Sequence, residues 1–238
     1  MHIALLSLPL AALALTACAP APGPAVSTTA HPQEAFWQAL SSHCGKAYAG
    51  GLASTDARDA DWAGKRMVAH WAECDETRVA IAFHVEEAPP SSSSEAVGRT
   101  ETSSSSEGVG QEQSWNRSRT WIVTREGTGA DTRFTLKHDH RHADGEADAV
   151  TFYGGTTADA GSASAQDFPV DAESVMLFTR EGLSASLTNV WRIEVTPRGS
   201  ADARFAYQLT RRNDPTRLFR VEIDASAPVE TPPAAWGW

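Results

Sequence analysis

Phe134-Thr-Leu-Lys-His-Asp-His-Arg-His-Ala-Asp-Gly-Glu-Ala-Asp148 alternates with a period of two. Phe134, Leu136, His138, His140 and His142 fall on one face of a strand, and Arg133, Thr135, Lys137, Asp139 and Arg141 on the other. Asp144-Gly145 marks a turn, and the residues beyond it test its length. A two-residue loop sets Phe152 opposite Lys137 and Val150 opposite Asp139, which mixes core with solvent. A three-residue loop, Ala143-Asp144-Gly145 with Gly145 left-handed, pairs Leu136 with Phe152, His138 with Val150, His140 with Asp148 and His142 with Glu146. The predicted unit is a bulged hairpin whose inner face changes from apolar to histidine–carboxylate toward its tip.

The same period recurs on both sides of this hairpin. Arg66–Cys74, Arg78–Glu86, Trp115–Arg125, Thr132–His142, Ala149–Tyr153, Ser174–Thr179, Asn189–Thr196, Arg204–Thr210 and Leu218–Asp224 alternate or are rich in β-branched and aromatic residues. Before them, Gln33–His43 places Phe36, Trp37 and Leu40 at helical spacing behind Pro32, which predicts one short amphipathic helix. Strands that follow one another so directly predict a mainly β fold. An antiparallel meander closing into a small barrel, lipocalin-like in outline, comes first, and a sandwich second.

Three segments stand apart from this pattern. Residues 1–17, MHIALLSLPLAALALTA, lack Asp, Glu, Lys and Arg and end in small residues, the pattern of a secretory signal. Residues 18–32 are small and Pro-rich, which suits a flexible tether, and 225–238 form a second Pro-rich segment expected to be a loose tail. Between them lies a single domain, 33–224, interrupted at 87–113 by a duplication in which Ser91-Ser-Ser-Ser-Glu-Ala-Val-Gly98 recurs as Ser103-Ser-Ser-Ser-Glu-Gly-Val-Gly110. That insert carries five acids and one base, so it supplies −4 of a net charge of −10. It is expected to be a disordered surface loop, since closure entropy grows only logarithmically with length. The acidic balance argues against a sequence-independent grip on nucleic acid.

Leu15-Thr16-Ala17-Cys18 closes the signal as a bacterial lipobox does, which marks Cys18 for lipidation and the bilayer as a partner. Ala19 after the cysteine fits the pattern sorted to an outer membrane, facing the periplasm. With Cys18 lipidated, Cys44 and Cys74 remain, and an even pair in an oxidising compartment predicts one disulfide.

Two clusters are candidates for a site. Same-face residues of a strand lie about 6.8 Å apart, so His138 and His140 can share a zinc ion only if a third ligand comes from elsewhere. His70 is the candidate, because pairing Arg66–Cys74 with Arg78–Glu86 around Asp75-Glu76 puts it on the face of Val79, Ile81 and Phe83. The alternative is that the histidine–carboxylate pairs are solvated at a hairpin tip. The second cluster is Trp115, Arg117, Arg119, Trp121 and Val123, which alternate onto one side of a strand. Inside a barrel, Arg117, Arg119 and Trp121 would hold an acidic ligand, the guanidinium gripping a carboxylate while the aromatic wall covers an apolar part. Arginine stacked on tryptophan at a surface is the plainer reading. No GxSxG, P-loop, Rossmann, HExxH or EF-hand spacing occurs, so no motif of these kinds supports catalysis, while residue content leaves Ser-His-Asp and Cys-His arrangements open.

Cys44-Gly-Lys-Ala, Arg117-Ser-Arg-Thr-Trp121, Leu136-Lys-His-Asp-His-Arg-His142 with Asp144-Gly145, Tyr153-Gly-Gly-Thr156, Thr188-Asn-Val-Trp191 and Phe219-Arg-Val-Glu222 together resemble a family of uncharacterised bacterial secreted proteins and lipoproteins. The resemblance spans most of Phe36 to Asp224. It implies export and a single domain, carries no activity and no catalytic residue, and leaves the duplication as an extra. The expected function is a non-enzymatic binding module for a small or envelope-derived ligand, lipid-anchored in the envelope. Zinc binding through the histidine face and a structural role in an envelope protein complex are the alternatives. Labelled palmitate should enter the wild-type chain and be lost in Cys18→Ser. Label retained by that variant removes the lipid anchor.

Overall fold

The computed structural model describes residues 31–87 and 114–238. The expected signal, Cys18 with its tether as far as residue 30, and the insert from 88 to 113 lie outside the described residues.

Helix α1 (Pro32–Ser41) is followed by β1 (Ala47–Leu52), β2 (Met67–Cys74), β3 (Arg78–Glu87), β4 (Ser114–Glu126), β5 (Arg133–His140), β6 (Tyr153–Thr156) and β7 (Ala165–Pro169). Helix α2 (Ala172–Arg180), β8 (Asn189–Val195), β9 (Arg204–Arg211) and β10 (Asp214–Asp224) complete the chain order. Except between β6 and β7, each strand pairs antiparallel with the next in sequence, and β1 pairs with β10, so ten strands form a nearly closed up-and-down barrel. The remaining seam, between β6 and β7, is held by one bridge, Gly155 to Val170. Gly155 is what allows that approach, because a Cβ there would stand 2.2 Å from the Pro169 carbonyl oxygen.

The inward faces of the strands make one core containing Met67, Ala69, Trp71, Val79, Ile81, Phe83, Trp121, Val123, Phe134, Leu136, Trp191, Ile193, Phe205 and Tyr207. Helix α1 buries Phe36, Trp37 and Leu40 at the Phe134 end, with ring centroids of Phe36 and Trp37 at 5.4 and 5.7 Å from Phe134. His140 lies at the opposite end of β5, so α1 plugs one mouth and leaves the other open. The Cys44–Cys74 disulfide, with a Cα separation of 6.1 Å, ties the exit of α1 to the end of β2. It closes a loop of 30 residues and by the chain-entropy account stabilises by roughly 3 to 4 kcal/mol.

Several local expectations change. Residues 174–179, expected as a strand, lie in α2, because Asp171 caps the helix by accepting from the Ser174 amide at 2.8 Å, with Glu173 in the first turn and Arg180 in the last. The strand expected over Ala149–Tyr153 begins only at Tyr153. Strand β1 carries no signal in the sequence: Ala-Tyr-Ala-Gly-Gly-Leu lacks β-branched residues, and a Cβ on Gly50 would collide with the Glu222 carbonyl at 1.9 Å. Strand β7 is short and ends in Pro169, which hides it equally well.

The tail expected to be loose lies along the outer face of the sheet. Val229 pairs with Ala47, the His84 Nε2–H donates to the Pro233 carbonyl at 3.0 Å, and the Trp236 amide donates to the Arg117 carbonyl at 3.0 Å. At its end the Trp238 indole N–H donates to Asp139 Oδ2 at 2.9 Å, and the Arg78 guanidinium sits 5.0 Å from a Trp238 ring. Beneath the tail, Ala47, Val68 and Trp115 form a second, outer apolar cluster. A chain ending at Ser226 would expose that cluster and take the indole partner from the buried Asp139, so it should melt lower by more than about 4 °C, the equivalent of roughly 2 kcal/mol. An unchanged melting temperature would restore the loose-tail reading.

Candidate functional site

The open end of the barrel holds a cavity of about 320 Å³. Its floor is the stacked pair Trp121 and Tyr207, with centroids 4.3 Å apart and planes 9° from parallel. Phe83 stacks on Trp121 at 4.5 Å, and Tyr153, Trp191, Phe178 and Phe219 add further walls. The 3-10 segment Ala57–Trp62 brings Trp62 over the mouth, and Arg217 clamps that segment to β10 by pairing with Asp59 and Asp56.

His138 is buried in the floor. Its Nδ1 lies 3.0 Å from the Tyr153 carbonyl oxygen, which can only accept, so Nδ1 carries the proton. Nε2 is therefore an acceptor, and the Tyr207 hydroxyl donates to it at 2.7 Å. Both ring nitrogens are thus occupied by the protein. Burial holds the imidazole neutral, with a pKa of about 3. His140 stands one step nearer the mouth, its Nε2 3.0 Å from the Tyr153 hydroxyl, and burial followed by the nearby Arg119 charge lowers its pKa to about 4. Burial pushes the Tyr153 phenol up to about 12 and the Tyr207 phenol well above its ordinary value.

Arg119 is paired directly across from His140, on β4. Its Nη1 donates to Ser118 Oγ at 3.0 Å and Asn116 Oδ1 at 3.5 Å, and the guanidinium lies 4.8 Å from a Trp62 ring. Among the described residues no carboxylate lies within ion-pair distance of it, and the Nε–Nη2 edge makes no hydrogen bond. Burial lowers its pKa, the expected response of a cation without a counter-ion. Arg211, at the rim, is likewise without a carboxylate among the described residues and donates to Asn189 Oδ1 at 3.1 Å.

The arginine–tryptophan cluster is therefore divided. Arg119 and Trp121 line the cavity, whereas Arg117 lies on the outer face, donating to the Ala234 carbonyl at 2.9 Å with its guanidinium 6.0 Å from Trp236. The reason is a bulge: Phe83 pairs with Arg119 but Val85 with Asn116, so one extra residue of β4 turns Trp115 and Arg117 outward.

The metal triad is divided in the same way. His138 and His140 share the cavity, but His70 pairs with Ala82 on the outer face alongside Val68 and near His84, while Met67, Ala69 and Trp71 point inward. The turn falls one position later, on Glu76-Thr77, which moves the pairing by two residues and keeps the faces. The extra residue Ala72 then slips it by one, and a slip of one residue reverses every face beyond it. Among the described residues no three His, Cys, Asp or Glu side chains converge as a metal site, and His138 has no lone pair to offer.

The hairpin itself is right at its tip and displaced at its base. Gly145 is left-handed at φ 88°, the His142 amide donates to the Glu146 carbonyl at 2.9 Å, and the Asp148 amide to the His140 carbonyl at 3.0 Å. Beyond Asp148 the chain bulges, so His138 pairs with Tyr153 and Leu136 with Gly155, three residues later than expected. Phe152, expected opposite Leu136 in the core, is 45 % exposed with φ 53°. Its left-handed backbone is what turns Tyr153 into the cavity, and this residue, with Tyr207 and Trp62, escapes a reading of the sequence alone. No family model, curated protein or solved structure matches the chain.

The two neutral histidines set a pH dependence. Unfolded histidine binds protons below about 6.5, whereas the folded state refuses them down to about 4 at His140 and about 3 at His138. The unfolded state therefore binds more protons across that window, and stability should fall as pH drops from 6.5 toward 4, then level off below about 3. The imidazole resonances of His138 and His140 should keep their neutral shifts from pH 8 to 5. A midpoint near 6.5 at His138 would contradict the buried donor–acceptor pairing.

Proposed function

We propose that this chain is a lipid-anchored protein of the bacterial envelope whose barrel is a non-enzymatic binding module for a small organic acid, taken into the cavity at its open end. Arg119 carries this reading: a half-buried guanidinium with a free two-donor edge and no carboxylate partner among the described residues, set in a wall of aromatic rings. A planar fork of this kind matches a carboxylate bidentately, and aromatic surface beside it accommodates an apolar body. A volume of about 320 Å³ falls within the range of small-molecule sites. The large exposed hydrophobics among the described residues, Phe152, Met176, Leu183 and Leu218, give an interface with another envelope protein less support. The anchor rests on Cys18 and on the resemblance to secreted proteins and lipoproteins.

Thermal shifts with benzoate, 2-naphthoate and decanoate against the matching alcohols test the acid requirement. A hundredfold excess over Kd stabilises by about 2.7 kcal/mol, or roughly 5 °C or more in melting temperature. At least one acid should give such a shift, its alcohol should not, and Arg119→Met should abolish the difference. Acid and alcohol shifts that are equal, or an acid shift undiminished in Arg119→Met, overturn the proposal.

A further inference from the structure

If an acid enters this cavity through Arg119, as proposed for the function, the cavity also constrains that acid's shape. Trp62, Phe83, Trp121 and Tyr207 form a run of near-parallel rings from mouth to floor, with successive interplanar angles of 16°, 23° and 9°. With centroids 6.3, 4.5 and 4.3 Å apart, these rings cover one another's faces, so the column is rigid and turns ring edges to the cavity. At the floor His138 is fully paired, with the Tyr153 carbonyl and the Tyr207 hydroxyl. Nearer the mouth, across from Arg119, His140 Nε2 and the Tyr153 hydroxyl share one hydrogen bond, which leaves one of their two donors over, the His140 Nδ1–H or the Tyr153 O–H. A ligand's inner end meets aromatic rings and the satisfied His138, so that end must be apolar.

Charge is offered only farther out. Arg119 lies two residues from Trp121 along β4, toward the mouth, and its Nε–Nη2 edge is the open donor pair. Arg217, which also lines the cavity, is taken by Asp59 and Asp56. Arg211, at the rim, has its Nε–H engaged by Asn189 Oδ1, so Arg119 is the lining arginine with an open Nε–Nη2 edge. That edge takes one carboxylate near the mouth, above an apolar body. Size comes from comparison with an apolar cavity of about 150 Å³ that takes benzene. About 320 Å³ is twice that, the room of two fused rings.

We infer that the ligand is a planar aromatic monocarboxylate of two-ring size, its ring system inward along the Trp62–Phe83–Trp121 wall and its carboxylate side-on to Arg119. A flexible alkyl acid of equal volume has rotors to immobilise in the same space and no π face to receive the ring edges, so it binds more weakly.

Calorimetric titration of the full chain with 2-naphthoate, decanoate and 2-naphthol separates these claims. The expected order is 2-naphthoate at least tenfold tighter than either of the others, with Arg119→Met weakening it at least thirtyfold. Decanoate binding as tightly as 2-naphthoate, and through Arg119, overturns the aromatic assignment while leaving the acid-binding reading standing. Either 2-naphthol matching 2-naphthoate, or neither acid responding to Arg119→Met, overturns both, as does the absence of 2-naphthoate binding at millimolar concentration. Should Arg119→Met fail to fold, Arg119→Lys keeps the charge and lacks the fork. A several-fold loss is expected there, and unchanged affinity overturns the side-on geometry.

Discussion

The hydrogen bond from the Tyr207 hydroxyl to His138 Nε2, 2.7 Å long, joins β9 to β5 across the inside of the barrel. Most of the interior is arranged around it. Below it the space is filled, by Leu136, Phe134, Phe205 and Trp71 and by the rings of α1. Above it the space is open. The bond fixes the tautomer of His138 and is matched on the other nitrogen by the Tyr153 carbonyl, so a buried imidazole is satisfied without charge. Losing one partner would leave a hydroxyl or a ring nitrogen unpaired in an apolar layer, a cost of about 1 to 3 kcal/mol. The same bond holds Tyr207 flat against Trp121, and that stacked pair is the cavity floor.

Closure of the barrel is achieved unevenly. The β1–β10 ladder joins the first and last strands directly, while β6 meets the β7 end at the single bridge of Gly155 with Val170, where the Asp171 amide donates to the Gly154 carbonyl at 3.1 Å. Tyr153-Gly-Gly-Thr156 makes that weak seam possible, since a Cβ on Gly154 would stand 1.7 Å from the Leu136 carbonyl and one on Gly155 2.2 Å from that of Pro169. Immediately before these glycines, Phe152 takes a left-handed backbone that a bulky residue rarely adopts, at a strain of order 1 to 3 kcal/mol. The strain coincides with the residue that reverses the chain's face and delivers Tyr153 to both histidines. Such a cost, borne next to a cavity, is what a functional position looks like.

Alternation makes the barrel legible, because a half-buried sheet imposes its period of two on every strand long enough to show it. Phe134 and Leu136, Val79 and Ile81, and Trp191 and Ile193 all fall inward as their spacing demands. The departures have a common cause. An extra residue in β2 and one in β4 each invert the faces beyond it, and neither Ala72 nor the Arg117-Ser118 pair differs in composition from ordinary strand residues. His70 and Arg117 are misplaced by the alternation for that reason, whereas Arg119, Trp121, His138 and His140 lie on the far side of the bulges from the error. The tail is illegible for another reason: its partners Asp139, Arg117, His84 and Arg78 are remote in sequence, and Pro-rich composition signals absence of a ladder, not absence of packing.

Arg119 is the clearest conflict between local stability and the rest of the design. The protein is rich in arginine–carboxylate pairs: Arg58, Arg192, Arg217 and Arg220 each hold at least one carboxylate in direct contact, several of them side-on. Acids outnumber bases along the chain, 30 Asp and Glu against 20 Lys and Arg, so carboxylates are not scarce. Yet Arg119, facing the cavity, has two neutral acceptors and a tryptophan face in place of one. Hydroxyl, amide and ring satisfy part of its charge and leave the strongest two-donor edge unused. A carboxylate on a neighbouring strand would have removed the desolvation cost and closed that edge for good. On the proposed reading, leaving it open keeps the cost in the empty protein and recovers part of it when an anion enters, so the preference for an acid over its alcohol depends on Arg119.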